Sequence, residues 1–128
     1  MGADAVVKGT RIEGTCKVHM VPSGSGTAPA GPRKFSAPIK NGTIASVLIG
    51  GREAAVIGAS GTTDLPGTHD GIVDGPFASP TARVGRVLSG SPTVLIGGQM
   101  AATTASAATC CVEPFERFRD AVGSVLIG

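Results

Sequence analysis

Apolar positions in this 128-residue chain fall in short runs broken by glycine pairs, not at helical spacing. The stretch Ser46–Ala55, SVLIGGREAA, aligns without gaps on Thr93–Ala102, TVLIGGQMAA, at an offset of 47 residues, with seven of ten positions identical. A third fragment, Ser124–Gly128, reads SVLIG. Internal repetition of this kind governs the architecture before any local propensity does. Each full copy predicts a short buried strand (Val47, Leu48, Ile49; Val94, Leu95, Ile96), a Gly-Gly reversal and a second strand opening at Ala-Ala. Gly-Gly suits a tight hairpin because both turn residues can take positive φ. Ala-Ala lets a neighbouring backbone come close. A helix through these segments is excluded by its glycines, each costing about 1 kcal/mol in a helix interior. The pattern therefore predicts a mainly β fold of repeated hairpins.

Between the copies the pattern changes. Residues Val21–Pro32 are rich in Pro, Gly and Ser without periodicity and predict an exposed loop, and Thr62–Pro80 predicts a second long loop. Over Pro114–Val122, Phe115, Phe118 and Val122 share one helical face, with Pro114 at a first-turn position and Gly123 as a stop. That predicts one short C-terminal helix covering a flank of the β core.

Length fits one domain over residues 1–128. A hydrophobic content of 41% argues against disorder despite 20 glycines and 9 prolines. A formal net charge of +2 and four aromatic residues, all Phe, give neither a nucleic-acid surface nor a base-stacking platform. No apolar run reaches membrane-span length. The start, MGADAVVK, has an acid where a secretory signal carries positive charge, so synthesis in the cytoplasm without a cleaved signal is expected.

The metal-binding residue types fall between the repeats. Cys16 and His19 form a C-x2-H pair, His69 sits in the middle loop, and Cys110 and Cys111 follow the second repeat. Three cysteines are too few and of the wrong parity for a disulfide scaffold. Cys16, His19, His69 and one of Cys110 or Cys111 supply the four donors of a tetrahedral Zn²⁺ site, and four protein donors make a closed, structural site. Asp70 and Asp74 read as solvated loop carboxylates. No Gly-x-Ser-x-Gly elbow and no phosphate loop occurs, so no enzyme is predicted.

The stretch Gly90–Ala102, GSPTVLIGGQMAA, resembles the PAAR-repeat family, whose members repeat Gly-Ser-Pro-x-Val-x-Ile-Asn-Gly-x-Pro-Ala-Ala-Arg with His- and Cys-bearing segments between copies. Thr68–Gly71, THDG, is similar to their Thr-His-Gly-Gly, and Cys16–His19 to their Cys-x-x-His. With the first copy (46–55) and the terminal fragment, the matching stretches span 36 of the 128 residues. The hallmark tetrapeptide is altered, to EAAV at Glu53–Val56 and MAAT at Met100–Thr103. The resemblance implies a small cone of β-hairpins with pseudo-threefold repeats and a structural zinc near its apex. It implies the ligands Cys16, His19, His69 and Cys110, the last because Thr109-Cys110 echoes Thr15-Cys16, with Cys111 as the alternative. The implied role is a spike-tip cap, one copy on a trimeric β-helical spike of a contractile injection system (type VI secretion or a phage-tail-like particle). Val47, Leu48, Ile49, Val94, Leu95 and Ile96 would dock on that trimer, and the tip would meet a target membrane transiently, outside the producing cell or on delivery into another. No nucleic acid and no small-molecule substrate is implied. The competing class is a stand-alone metal-stabilised β-rich binding or effector module.

Overall fold

The computed structural model describes residues 2–128, and the described fold is mainly β. Its first strands are β1 (Ala3–Ala5), β2 (Arg11–Cys16), β3 (Met20–Ser23), β4 (Gly26–Pro29) and β5 (Arg33–Pro38). The middle of the chain gives β6 (Asn41–Ile49), β7 (Arg52–Thr62) and β8 (Val84–Val87). The last part gives β9 (Leu95–Ile96), β10 (Gln99–Met100), β11 (Ala108–Cys110), β12 (Glu113–Pro114), β13 (Arg117–Arg119) and β14 (Val122–Ile127). They assemble, all antiparallel, into a five-stranded sheet ordered β12-β11-β8-β7-β6, a three-stranded sheet β13-β2-β5, and three two-stranded pairs.

Three of these pairings are copies of one unit. In β6–β7, Ile49 pairs with Arg52 and Leu48 with Glu53 across Gly50-Gly51, both at positive φ. In β9–β10, Ile96 pairs with Gln99 and Leu95 with Met100 across Gly97-Gly98, also both at positive φ. The third copy joins opposite ends of the described chain: in β1–β14, Ile127 pairs with Ala3 and Leu126 with Asp4. Residues Gly2–Val7 thus complete the repeat that Ser124–Gly128 begins. Aligned on Gly51–Val56, only Gly2, Ala5 and Val7 match, too few to identify the segment by sequence.

The three units meet in a closed ring of backbone hydrogen bonds. Val6 N–H donates to the Ala102 carbonyl (3.1 Å), Ala102 N–H to that of Ala55 (3.0 Å), and Ala55 N–H to that of Val6 (3.0 Å). Around it lie the bridges Ala5↔Thr103, Val56↔Ala101 and Val7↔Ala54, which follow the same cyclic rule. The chain therefore has a pseudo-threefold axis through this ring. Three backbones converge that closely only where side chains are small, and Ala5, Ala54, Ala55, Ala101 and Ala102 are all buried. The Ala-Ala pairs are the sequence signal of that convergence.

Two clusters flank the ring. Ile127 is buried with Ala5 and Ala101, and Ile49, Val94 and Ile96 pack on them. The larger core gathers Val6, Ile12, Phe35, Ile39, Val87 and Cys110, among others. The leucine of each repeat points outward, as strand alternation requires: Leu48, Leu95 and Leu126 are each 62% exposed. The expectation of uniformly buried Val-Leu-Ile strands is corrected accordingly.

Two further expectations change. Residues within Val21–Pro32 form the β3–β4 hairpin, although it remains mostly exposed. The C-terminal helix is replaced by β12, β13 and the start of β14. Phe118 pairs with Ile12 across β13–β2, and the Phe115 and Phe118 rings still meet, with centroids 4.7 Å apart. The cause is tertiary. A nine-residue helix is marginal alone, whereas β2 has β5 on one edge and needs a partner for the backbone groups on its other.

Overpacking at the ring is expected to be far more damaging than trimming an outward leucine. Ala55→Leu should lower stability by about 1–3 kcal/mol, and Leu48→Ala by no more than about 0.5 kcal/mol, measured by urea denaturation.

Candidate metal centre

Each segment leaving a repeat delivers ligands to one point. From the β1 unit the chain turns at Lys8-Gly9 into β2, which ends at Cys16, and His19 leads into β3. From the first hairpin, β7 runs from the Gly-Gly turn through the ring to Thr62, and His69 follows in the next loop. From the second hairpin, β11 ends at Cys110, and Cys111 occupies the turn into β12 at φ 57°. The glycine turns and the ligand loops thus lie at opposite ends of β7.

Cys16 Sγ, His19, His69 and Cys111 Sγ present donor atoms within 4.8 Å of one another. They lie close enough to hold a metal ion. Cys16 and His19 are fully buried and His69 is 3% exposed. The two sulfurs are 3.6 Å apart, and the imidazoles meet edge to face with centroids 5.1 Å apart. Phe77 packs edge-on to His19 at 5.1 Å and Phe35 to His69 at 6.0 Å, which walls the cluster from water.

Both imidazoles are oriented by their outer nitrogen. An ionised carboxylate only accepts, so His19 Nδ1–H donates to Asp74 (3.1 Å to Oδ2). The Thr68 hydroxyl donates to the Leu65 carbonyl (3.3 Å), which leaves its oxygen to accept from His69 Nδ1–H (3.1 Å). In both rings the lone pair is then on Nε2. His19 Nε2 and His69 Nε2 are the buried side-chain N and O atoms without a hydrogen-bond partner among the described residues. Orphaned buried acceptors are costly, and a shared cation satisfies both. The residues therefore fit a metal ion, with hydrogen-bonded outer partners of the kind that orient metal-bound histidines.

The electrostatics agree. The Cys111 thiol is lowered to about 7, first by the hydrogen bond from Cys16, with burial acting the other way. Cys16 is raised as the partner that keeps its proton, through its bond to Cys111 and its burial. His69 is lowered to about 4, by burial first and the neighbouring His19 second. Asp74 stays below the ordinary carboxylate range: burial works the other way, but the Met20 N–H and the His19 ring both donate to it.

Of the sequence candidates, Cys16, His19 and His69 come together with Cys111. Cys110 turns from the cluster into the core, where its sulfur would lie 2.8 Å from a Cβ on Gly14, and burial raises it to about 12. The reason is alternation: Cys110 closes β11 on its inward face, and the positive-φ turn sends Cys111 to the ligands. Asp74 is a working carboxylate and not a solvated one. Glu113 was not singled out in the sequence, and it accepts from the Lys17 and Val18 N–H groups, holding the C-x2-H turn. Neither contact has a sequence signature, since Asp74 is 55 residues from His19 and Glu113 is 96 from Lys17. No helix is long and apolar enough to cross a membrane among the described residues. No family model, curated protein or solved structure matches the chain.

Cys111→Ser is expected to abolish stoichiometric metal retention, whereas Cys110→Ala keeps the metal and loses only packing stability. Asp74→Asn should weaken the metal about 10–100-fold, read by competition with a chelating dye. Acid should destabilise even the metal-free protein. His69 takes up its proton near 4 when folded and near 6.5 when unfolded, so the unfolded chain binds more protons between those values. Stability is therefore fully present above about 6.5 and falls as the pH drops towards 4, by on the order of 3 kcal/mol. Chemical denaturation across that range checks it.

Proposed function

We propose that this chain is a non-enzymatic, zinc-pinned cap for a threefold-symmetric spike, as its resemblance to PAAR-repeat tip proteins implies. The observation that carries this reading is the pseudo-threefold ring together with the three leucines of matched exposure, Leu48, Leu95 and Leu126. One polypeptide presenting the same apolar residue three times about one axis is complementary to a homotrimer, and a single copy satisfies all three partner chains. Docking covers those leucines and leaves the metal end leading.

Zinc suits the donor set. Two thiolates on tetrahedral Zn²⁺ at about 2.3 Å stand about 3.8 Å apart, close to the 3.6 Å between Cys16 and Cys111. Four protein donors leave no coordination position for water, which favours a structural over a catalytic ion. The loops around the ligands contain little regular structure, so the ion supplies cohesion that a narrow end lacks apolar volume to provide. The same end exposes Val18 (54%), Val73 (40%) and Val112 (62%), one from each inter-repeat segment, a surface suited to brief contact with a lipid bilayer.

Co-expressed with its trimeric spike, the chain should assemble at one copy per trimer by native mass spectrometry, with one zinc per chain by elemental analysis. Changing Leu48, Leu95 and Leu126 to Asp together should abolish assembly while the zinc stays bound. A stable monomer indifferent to any such trimer supports the stand-alone binding module instead.

A further inference from the structure

The pseudo-threefold axis repeats not only the hairpins but the grooves between them. One groove, of about 510 Å³, lies where the Lys8-Gly9 turn packs against the first hairpin, with Leu48 and Arg52 on its far wall and Pro38 and Lys40 beside them. Its rotational counterpart, of about 370 Å³, lies where Thr103, Ala105 and Ser106 face Ile127 and Ala3 of the third unit. Both lie between the segment leaving one unit and the hairpin of the next, and they differ in charge. The first carries three cations and the single carboxylate of Glu53, which already accepts from the Thr43 hydroxyl (2.6 Å). The second has no charged side chain in its lining.

Lys8 and Lys40 are exposed and belong to no ion pair among the described residues. Arg52 is turned aside, donating to the Asp120 carbonyl (2.9 Å). Two free ammonium groups therefore rim an apolar floor that is continuous with Leu48. Exposed cations gain little from one another but select a partner of opposite sign and set its register.

We propose that this groove binds an acidic peptide segment with an apolar anchor, carried by the threefold partner. The anchor side chain covers Pro38 and Leu48, and flanking carboxylates meet Lys8 and Lys40. This rests on the cap reading for the identity of the partner, though not for the chemistry of the groove. Its consequence is asymmetry. Three identical partner chains offer the same segment, the counterpart groove has no Lys or Arg to hold it equally, and the chain at the Lys8–Lys40 groove is bound differently from its neighbour.

The test uses the zinc-loaded full chain and a fluorescein-labelled hexapeptide of alternating glutamate and leucine, with a lysine–leucine hexapeptide as control. The acidic peptide should bind saturably, shift the Gly9, Lys40 and Leu48 amide resonances, and lose at least tenfold in affinity in the K8E/K40E variant at an unchanged melting temperature. Equal binding of the lysine peptide, unchanged affinity in K8E/K40E, or amide shifts confined to other surfaces would overturn the proposal. Leu95→Glu separates it from the cap reading: assembly with the trimer should fail while peptide affinity holds. Peptide binding without any trimer docking sinks the cap and keeps the groove, and trimer docking without peptide binding sinks the groove alone.

Discussion

The constraint on which this structure depends is the meeting of three backbones at one axis. The ring Val6–Ala102–Ala55 closes only if each residue both donates and accepts, so none of the three units can be placed without the other two. Backbone groups this deeply buried must be paired, and here the pairing is cyclic where an ordinary ladder would be linear. The residues around the ring are accordingly alanine, valine and threonine. Any larger side chain would push the strands apart and leave polar groups without partners.

From that ring the chain diverges to two unlike ends. On one side the isoleucine of each repeat turns in to Ala5 and Ala101 and the leucine turns out. On the other, β2, β7 and β11 lead to segments of different length and composition, which converge on one cluster of four donors. The symmetric end is organised by hydrogen bonds and apolar packing. The irregular end is organised by side chains that point at a common centre, held by Asp74, Thr68 and Glu113 from behind. Two buried Nε2 lone pairs and two facing sulfurs lie close enough to share one cation.

In the cap proposed above, this division of labour would suit a body pushed along its own axis. There the threefold face would spread load over three contacts, and a metal linking the far end would resist local unfolding. The cations beside Leu48 break the threefold equivalence that the backbone maintains, so the hairpin end is symmetric in backbone and asymmetric in potential.

The sequence by itself determined the β class, the Gly-Gly hairpins and most of the donor set, because these follow from local rules: glycine at positive φ, alternation, and the scarcity of Cys and His. It carried two of the three repeats, since their letters match. The rest was decided in tertiary structure. The third repeat is a pairing of residues 3–5 with 122–127 that no local signal links. Phe115 and Phe118 have helical spacing, yet an open edge of β2 draws their segment into extended pairing. Between adjacent cysteines the choice rested on which side of β11 each emerges, and a single residue of register moves a side chain from core to ligand. That register is set by the pairing of β11 with β8, not by anything near Cys110 or Cys111 in the chain.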